Sequence, residues 1–480
     1  MQILPSGHEP AVPGQAGLAL APFRGVRYAR DRVSGLAEVT SPPYDVIAHG
    51  IEDQLIAADP HNVVRLILPR HAPGHQGDVY DDAARTLHEW QDEQILRPDP
   101  EPSLYVYEQA ALHGRENGAA PADHPVVIQR GLIGALRLSP LDAGIVRPHE
   151  DVAPGPVAGR LQLMEATQAN LEPIYLLHDG SARGASARIV DETAAGREPL
   201  VDTVTPDGIR HRLWAIADPA ELAAIAADLA PRSALIADGH HRYSAYLKLQ
   251  ARRRAAGHGP GPWDYGLALL VDASAYPPEI GAIHRVIPGL APAAAAELAK
   301  AAFTVQRLPG GTPHPPPPAA HPPPSPSPLP PSLSLSAPAA WPAALDKLAD
   351  ASRRGPAFLV AGGGDVRLLT DPDPVQVDAA MPPGRSPRWR GLAASVLQEL
   401  LIARIWGISD GEPDVRIVHN DAAEAVAQAD ETGGTAVICP SMSTWDVYDI
   451  AARGERVPRK STSFGPKPRT GLVIRTFAQG

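Results

Sequence analysis

The chain has 480 residues, of which 44% are hydrophobic, so it can bury one large core or two medium ones. Its net charge of -11 argues against a nucleic-acid partner, because such partners require basic surfaces. The single cysteine excludes an internal disulfide framework and a zinc site built from several cysteines. The sequence shows neither a membrane-spanning apolar run nor a signal peptide, so we expect a cytoplasmic protein that does not bind membranes.

Two segments have the composition of unstructured chain. Residues 1–21 are rich in Gly, Pro and Ala without sustained periodicity, and we predict a flexible tail there. Between residues 313 and 331, 12 of the 19 residues are proline, which cannot donate backbone hydrogen bonds. We therefore predict a disordered insertion over residues 308–340.

The remaining sequence alternates short apolar runs with helical periodicity. Strands are predicted at 62–68, 103–107, 129–138, 171–177, 211–216, 233–237, 357–360, 366–369 and 435–439. Helices are predicted around 80–90, 243–254 and 392–406, and after Asp421, which forms a capping box with Glu424. This mixture indicates an α/β fold, with α+β as the alternative.

The most informative motif is Asp238-Gly239-His240-His241-Arg242, which joins a predicted strand to a predicted helix. A helix N-terminus presents backbone N–H groups and a partial positive charge, which suit an anion. We predict a phosphate-binding turn made by these five residues.

Each residue of the motif has a chemical role open to it. Gly239 permits close approach of a ligand, and Arg242 can clamp a phosphate through two hydrogen bonds. His240 and His241 can donate hydrogen bonds, bind a metal, or act as a general base. Asp238 can cap the helix, hold Mg²⁺, or orient a histidine.

A second polar cluster, Pro148-His149-Glu150-Asp151, contains our candidate base. Glu150 could deprotonate a substrate hydroxyl, with His149 and His241 as further catalytic candidates; an exposed acidic turn is the alternative. The turn that contains Tyr44 and Asp45 is interpreted as mainly structural, although either residue could line a pocket. His284-Arg285 and Lys460-Ser461-Thr462 could reach an anion, with plain surface as the alternative.

Eight segments, in the expected order, resemble the domain-of-unknown-function family 1015. They are Pro22–Tyr28, Ser41–Ile47, Asn62–Leu66, Pro148–Glu150, Thr167–Pro173, Ala237–Tyr243, and Lys460–Thr462 with Gly471–Ile474. Because they lie on both sides of the proline run, the resemblance implies one domain in two parts, residues 22–307 and 341–480. The chain departs from the family pattern at Ile283, Gln398, Ser463 and Gly465.

The turn at 238–242 is also similar to the phosphate loop of the superfamily that holds ParB partition proteins, sulfiredoxin and free serine kinases. This resemblance implies a ParB/sulfiredoxin-like core, a bound ATP or ADP with Mg²⁺ at Asp238, and phosphoryl transfer to a small hydroxylated metabolite such as serine. The alternatives are a ParB-like nucleotide-binding switch or DNA-associated module, and a metal-dependent hydrolase that uses His240 and His241.

Overall fold

The computed structural model describes residues 17–47, 50–71, 77–112, 125–180, 184–309, 341–409 and 414–479. Residues 1–16 of the predicted tail and residues 310–340 of the predicted insertion lie outside the described residues. The chain forms two compact units, the first made of residues 1–279 and 464–480 and the second of residues 280–463. The predicted mixed α/β class is confirmed.

The first unit is built around a nine-stranded sheet. Its strands and the smaller strand pairs are β1 (Leu20–Ala21), β2 (Val26–Tyr28), β3 (Leu96–Pro98), β4 (Leu104–Ala111), β5 (Val126–Arg137), β6 (Val146–Pro148), β7 (Ala169–Asn170), β8 (Ile174–His178), β9 (Val201–Val204), β10 (Ile209–Ile216), β11 (Ala234–Asp238) and β12 (Tyr265–Asp272). The order across the sheet is β6-β11-β8-β12-β5-β4-β10-β9, and β1 pairs with β5. Only β6 with β11 and β8 with β12 run parallel among these described strands.

Helices of the first unit are α1 (Leu36–Val39), α2 (Ile51–Ala58), α3 (Val64–Ile67), α4 (Val79–Asp92), α5 (Pro154–Thr167), α6 (Ala185–Gly196), α7 (Pro219–Leu229) and α8 (His240–Ala255). A hydrophobic core joins one face of the sheet to these helices, with Ile174 and Ile236 from the strands and Tyr243 and Leu249 from α8. The alternation of side chains along a strand places these residues on one face. This core fixes α8 against β8 and β11.

Two predictions for the first unit are wrong in part. Residues 62–68 were expected to form a strand, but Val64–Ile67 form a helical turn because the side chain of Asn62 accepts a hydrogen bond from Val64 N–H (2.9 Å). The end of the predicted tail is structured: Leu18 is buried, and Leu20 pairs with Leu136.

The second unit contains a six-stranded sheet. Its strands are β14 (Ile283–Ile287), β15 (Thr304–Arg307), β16 (Phe358–Gly362), β17 (Asp365–Thr370), β18 (Arg416–His419) and β19 (Thr435–Ile438), in the order β15-β17-β16-β19-β14-β18. The short strand β13 (Glu279–Gly281), which begins at the unit boundary, is not part of this sheet. Its helices are α9 (Pro292–Ala299), α10 (Trp341–Ser352), α11 (Pro374–Ala380), α12 (Pro387–Arg390), α13 (Ala393–Ser395), the π-helix Val396–Ile405, α14 (Ala422–Glu431) and α15 (Thr444–Ala452). Near the end of the chain lie β20 (Ser463–Gly465) and β21 (Arg475–Thr476). The strands predicted at 357–360 and 366–369 pair as β16 and β17, and the cap predicted at Asp421 is confirmed.

No helix among the described residues is both long enough and apolar enough to cross a membrane.

Buried histidines make the stability of the fold depend on pH. Burial lowers the pKa of His178 and of His211 to about 4, although Asp272 partly offsets the effect at His178. The unfolded chain takes up these protons near pH 6.5, so stability is full above that pH and falls as the pH drops towards 4. Each residue contributes roughly 3 kcal/mol to this loss, at about 1.4 kcal/mol per pKa unit.

Urea unfolding at pH 7.5 and pH 5 checks this prediction. We expect His211→Gln to reduce the loss of unfolding free energy on acidification, whereas His258→Gln, at an exposed residue, leaves it unchanged. Equal losses in the parent and in His211→Gln would contradict the assignment.

Candidate functional site

The turn between β11 and α8 is set by a glycine. Gly239 is the N-cap of the 16-residue helix α8, and its φ of 93° lies in the left-handed region that favours glycine. A Cβ atom at this position would lie 2.8 Å from Cγ2 of Ile174. Asp238 is the last residue of β11 and, contrary to one of its predicted roles, does not cap the helix.

The carboxylate of Asp238 lies between two cations. Its Oδ2 atom is 2.6 Å from Nη2 of Arg242, and its Oδ1 atom is 2.5 Å from Nζ of Lys467. All three side chains are largely buried. The negative charge that precedes the helix is therefore neutralised within the site.

Arg242 links the turn to the segment before β8. Its Nη1 donates to the carbonyl oxygen of Pro173 (2.7 Å), and its side chain is 4% exposed. Burial alone lowers the pKa of Arg242, but Glu172, Asp238 and Asp45 outweigh it and raise the pKa above its usual range. Since these contacts hold the guanidinium, we assign Arg242 to positioning the turn rather than to the predicted phosphate clamp.

Lys467 completes the site from the C-terminal part of the chain. Its ammonium also contacts Oδ2 of Asp45 (3.0 Å). Burial lowers the pKa of Lys467, but Asp238 and Asp45 outweigh it and raise the pKa well above its usual range. The ammonium group of Lys467 is thus charged and held in position by two carboxylates.

A second layer surrounds Arg242. Glu172 is buried and accepts a hydrogen bond from the backbone N–H of Tyr44 (3.0 Å). Burial raises the pKa of Glu172 despite the nearby Arg242 and Arg160, and burial raises that of Tyr44 to about 12. The guanidinium of Arg160 lies 4.2 Å from the centre of the Tyr44 ring. With Asp45, Asp238 and Lys467, the buried network around Arg242 holds three acids and three bases.

The three predicted histidines meet beside the turn, since β6 runs parallel to β11 and brings residues 149–153 alongside it. The rings of His149 and His240 pack edge to face with centres 4.5 Å apart. His149 Nδ1 donates to the carbonyl oxygen of Ile236 (2.7 Å). This contact fixes the proton on Nδ1, because a carbonyl can only accept.

Both histidines of the turn accept hydrogen bonds at Nε2. His240 Nε2 accepts from the backbone N–H of His149 (3.3 Å), and His241 Nε2 accepts from that of Ala153 (3.1 Å). These bonds occupy the Nε2 lone pairs, so a metal could reach either ring only through Nδ1. Glu150 lies in the chain between these two contacts, next to the turn.

The carboxylate of Asp238 is the group predicted to hold Mg²⁺. Both oxygens of Asp238 contact cations, so this carboxylate does not suit a metal in the arrangement seen. Within the part of the chain that the structure describes, no group of three or more His, Cys, Asp or Glu residues is placed to hold a metal ion.

The structure therefore brings together all seven residues predicted for the site: His149, Glu150, Asp238, Gly239, His240, His241 and Arg242. Sequence reasoning missed Lys467 and the part played by Glu172. Lys467 lies in a loop far along the chain, and no local pattern distinguishes it from other lysines. The turn containing Tyr44 and Asp45 was predicted to be mainly structural, but Asp45 contacts Lys467 and Tyr44 contacts Glu172.

The family described as "Protein of unknown function (DUF1015)" matches residues 20–391, more than half of the chain. The chain belongs to this family. The resemblance drawn from the sequence motifs is thus confirmed, and the match extends across the proline run. No curated protein matches the chain.

Several solved structures are similar to the chain. A free serine kinase in complex with AMP has 13% identity and a TM-score of 0.32, covering 69% of this chain and 86% of that one. A conserved hypothetical protein from Pyrococcus furiosus has 12% identity and a TM-score of 0.33, covering 73% and 97%. SbnI with a C-terminal truncation, from Staphylococcus aureus, has 11% identity and a TM-score of 0.32, covering 72% and 87%. At TM-scores this low, the likeness carries no feature of the site over to this chain.

Proposed function

We propose that this DUF1015 protein binds ATP or ADP through its phosphates at the Asp238–Arg242 turn. The observation that carries the proposal is the left-handed Gly239 at the N-terminus of a 16-residue helix. This geometry directs the backbone N–H groups of the first turn, and the positive end of the helix dipole, towards one edge of the sheet.

Charge compensation supports the same proposal. A carboxylate directly before a helix N-terminus would repel a phosphate, but Arg242 and Lys467 neutralise Asp238. In the buried network around Arg242, three acids balance three bases, so Asp238 adds no net negative charge at the helix N-terminus. Gly239 and His241 are partly exposed, which leaves the edge of the turn accessible.

We further propose that the chain transfers a phosphoryl group to a small hydroxylated metabolite, with serine as the first substrate to test. Glu150 would accept the proton of the substrate hydroxyl, whose oxygen then attacks the terminal phosphorus of ATP as ADP leaves. Mg²⁺ would arrive bound to the nucleotide and neutralise charge on its phosphates, rather than being held by Asp238.

Thermal unfolding with ATP, ADP or AMP in the presence of Mg²⁺ tests the binding step. Ligand at 100 times its dissociation constant adds about 2.7 kcal/mol, which raises the melting temperature of the parent protein. We expect the rise to shrink in His241→Ala and to persist in His258→Ala, which changes an exposed histidine beyond the end of α8. No rise with any nucleotide would contradict the proposal.

The transfer step has its own test. If Glu150 is the base, Glu150→Gln keeps the nucleotide-induced rise in melting temperature but lowers the rate of phosphoserine formation by about 10²–10⁴-fold. Nucleotide binding without turnover of serine or other hydroxylated metabolites in the parent protein would leave the binding proposal standing and reject the transferase one.

A further inference from the structure

The second unit contains a cavity unrelated to the turn at 238–242. Its volume is about 510 Å³, within the range of small-molecule sites. The walls come from β14, from the segments 352–358 and 387–397, and from residues 439–446 between β19 and α15. Every residue that lines it belongs to the second unit.

The lining is strongly basic. Four arginines, Arg285, Arg353, Arg354 and Arg388, face one acid, Asp446. This local excess of positive charge contrasts with the net charge of -11 for the whole chain. Concentrated arginine in a concave site selects for an anion, because the planar guanidinium matches phosphate and carboxylate geometry.

Arg285 is built into the wall. It is buried, and its guanidinium donates to the carbonyl oxygens of Ile283 (3.2 Å) and Lys460 (2.9 Å). These bonds bring together the His284-Arg285 and Lys460-Ser461-Thr462 motifs, which the sequence had indicated as polar groups able to reach an anion. Ser461 also lines the cavity.

The other three arginines of the lining are more exposed to solvent than Arg285. Arg353 pairs with Asp350, and Arg388 pairs with Asp446. Arg354 makes no ion pair with any residue that the structure describes, so its charge is available to a ligand. The hydroxyl group of Ser441 adds hydrogen-bonding capacity, whereas that of Ser443 is engaged with Asp446 at the start of α15.

One wall is apolar and can accept the organic part of a ligand. It includes Leu392, Leu397 and Met442, with the fully buried Phe358 behind them. An inorganic ion would leave this surface unused, whereas an organic anion would cover it.

We propose that the cavity binds a small phosphorylated organic compound. Its phosphate lies among Arg285, Arg354 and Arg388, and its organic part lies against Leu392 and Met442. This site is separate from the proposed nucleotide turn, and its existence depends on neither the nucleotide nor the transferase proposal.

Isothermal titration calorimetry on the full chain tests the proposal with phenyl phosphate, inorganic phosphate and succinate. We expect phenyl phosphate to bind more tightly than inorganic phosphate, because only the former covers the apolar wall, and succinate to bind more weakly than phenyl phosphate. The double variant Arg354→Ala, Arg388→Ala should weaken phenyl phosphate binding at least about tenfold, since it removes two charges from the site.

The matched control is the double variant Arg307→Ala, Arg404→Ala, which removes the same charge from exposed positions of the second unit outside the cavity. Its affinity should stay within about twofold of the parent. If the first double variant melts below the parent, Arg354→Gln alone gives the comparison without breaking an ion pair. Three results would overturn the proposal: no binding of phenyl phosphate, equal affinity in the cavity and control variants, or preference for succinate.

Discussion

Replacing Asp238 by alanine is expected to lower the free energy of unfolding by about 3–5 kcal/mol, because it leaves buried charges without their partner. Arg242 and Lys467 both contact this carboxylate, at 2.6 and 2.5 Å. After the substitution, Arg242 keeps the Pro173 carbonyl, and Lys467 keeps Asp45. Neither remaining contact replaces the lost charge.

Chemical denaturation of the parent and of Asp238→Ala measures this loss. The control is Glu192→Ala, which breaks an exposed pair with Arg188 and should cost less than about 1 kcal/mol. Adding Lys467→Met to Asp238→Ala should recover part of the loss, since it removes the positive charge that the buried network then carries in excess. A loss at Asp238 as small as that at Glu192 would show that the charges of the site are well solvated, contrary to the burial described.

Replacing Gly239 by alanine is expected to cost about 2–5 kcal/mol of stability and to abolish nucleotide binding. The left-handed backbone costs a residue with a side chain about 1–2 kcal/mol, and overpacking adds about 1–3 kcal/mol. The new methyl group would lie 2.8 Å from Ile174 Cγ2 and 3.2 Å from Arg242 Nε. Relief of this contact moves the first turn of α8, which carries the proposed phosphate site.

A glycine beyond the other end of the same helix provides the control. Gly257 has a φ of 82°, and no heavy atom lies within 4 Å of a Cβ built there. Gly257→Ala should therefore show only the backbone cost, about 1–2 kcal/mol, and should bind nucleotide normally. Equal stability losses and equal nucleotide affinities for the two variants would mean that contact with Ile174 plays no part in the turn.

The strand-turn-helix unit could be predicted from sequence because its signals are local. An apolar run ends at Asp238, glycine follows, and Tyr243, Tyr246 and Leu247 have helical spacing. The same local reasoning failed at residues 62–68, where Val63, Val64 and Ile67 favour a strand by type. There the side-chain oxygen of Asn62 accepts a hydrogen bond from Val64 N–H, and its amide donates to the carbonyl oxygen of Glu38 (2.6 Å).

The charge network could not be predicted because it depends on contacts far apart in the chain. Lys467 and Asp45 are 422 residues apart, yet they form an ion pair. Sequence patterns report periods of a few residues, so they give no sign of such a pair. The positioning role of Arg242 could not be predicted for the same reason, since its contact with Pro173 forms only when α8 packs on the sheet.

Hydrogen exchange of the backbone amides, followed by mass spectrometry with and without MgATP, tests the central claim most directly. The proposal predicts that peptides covering residues 238–243 exchange more slowly when MgATP is bound, because phosphate oxygens accept hydrogen bonds from the first turn of α8. Peptides covering the arginine cavity at 353–354 and 388 should remain unchanged. Binding of MgATP with protection only at other segments, or without any protection at 238–243, would contradict a phosphate site at this turn.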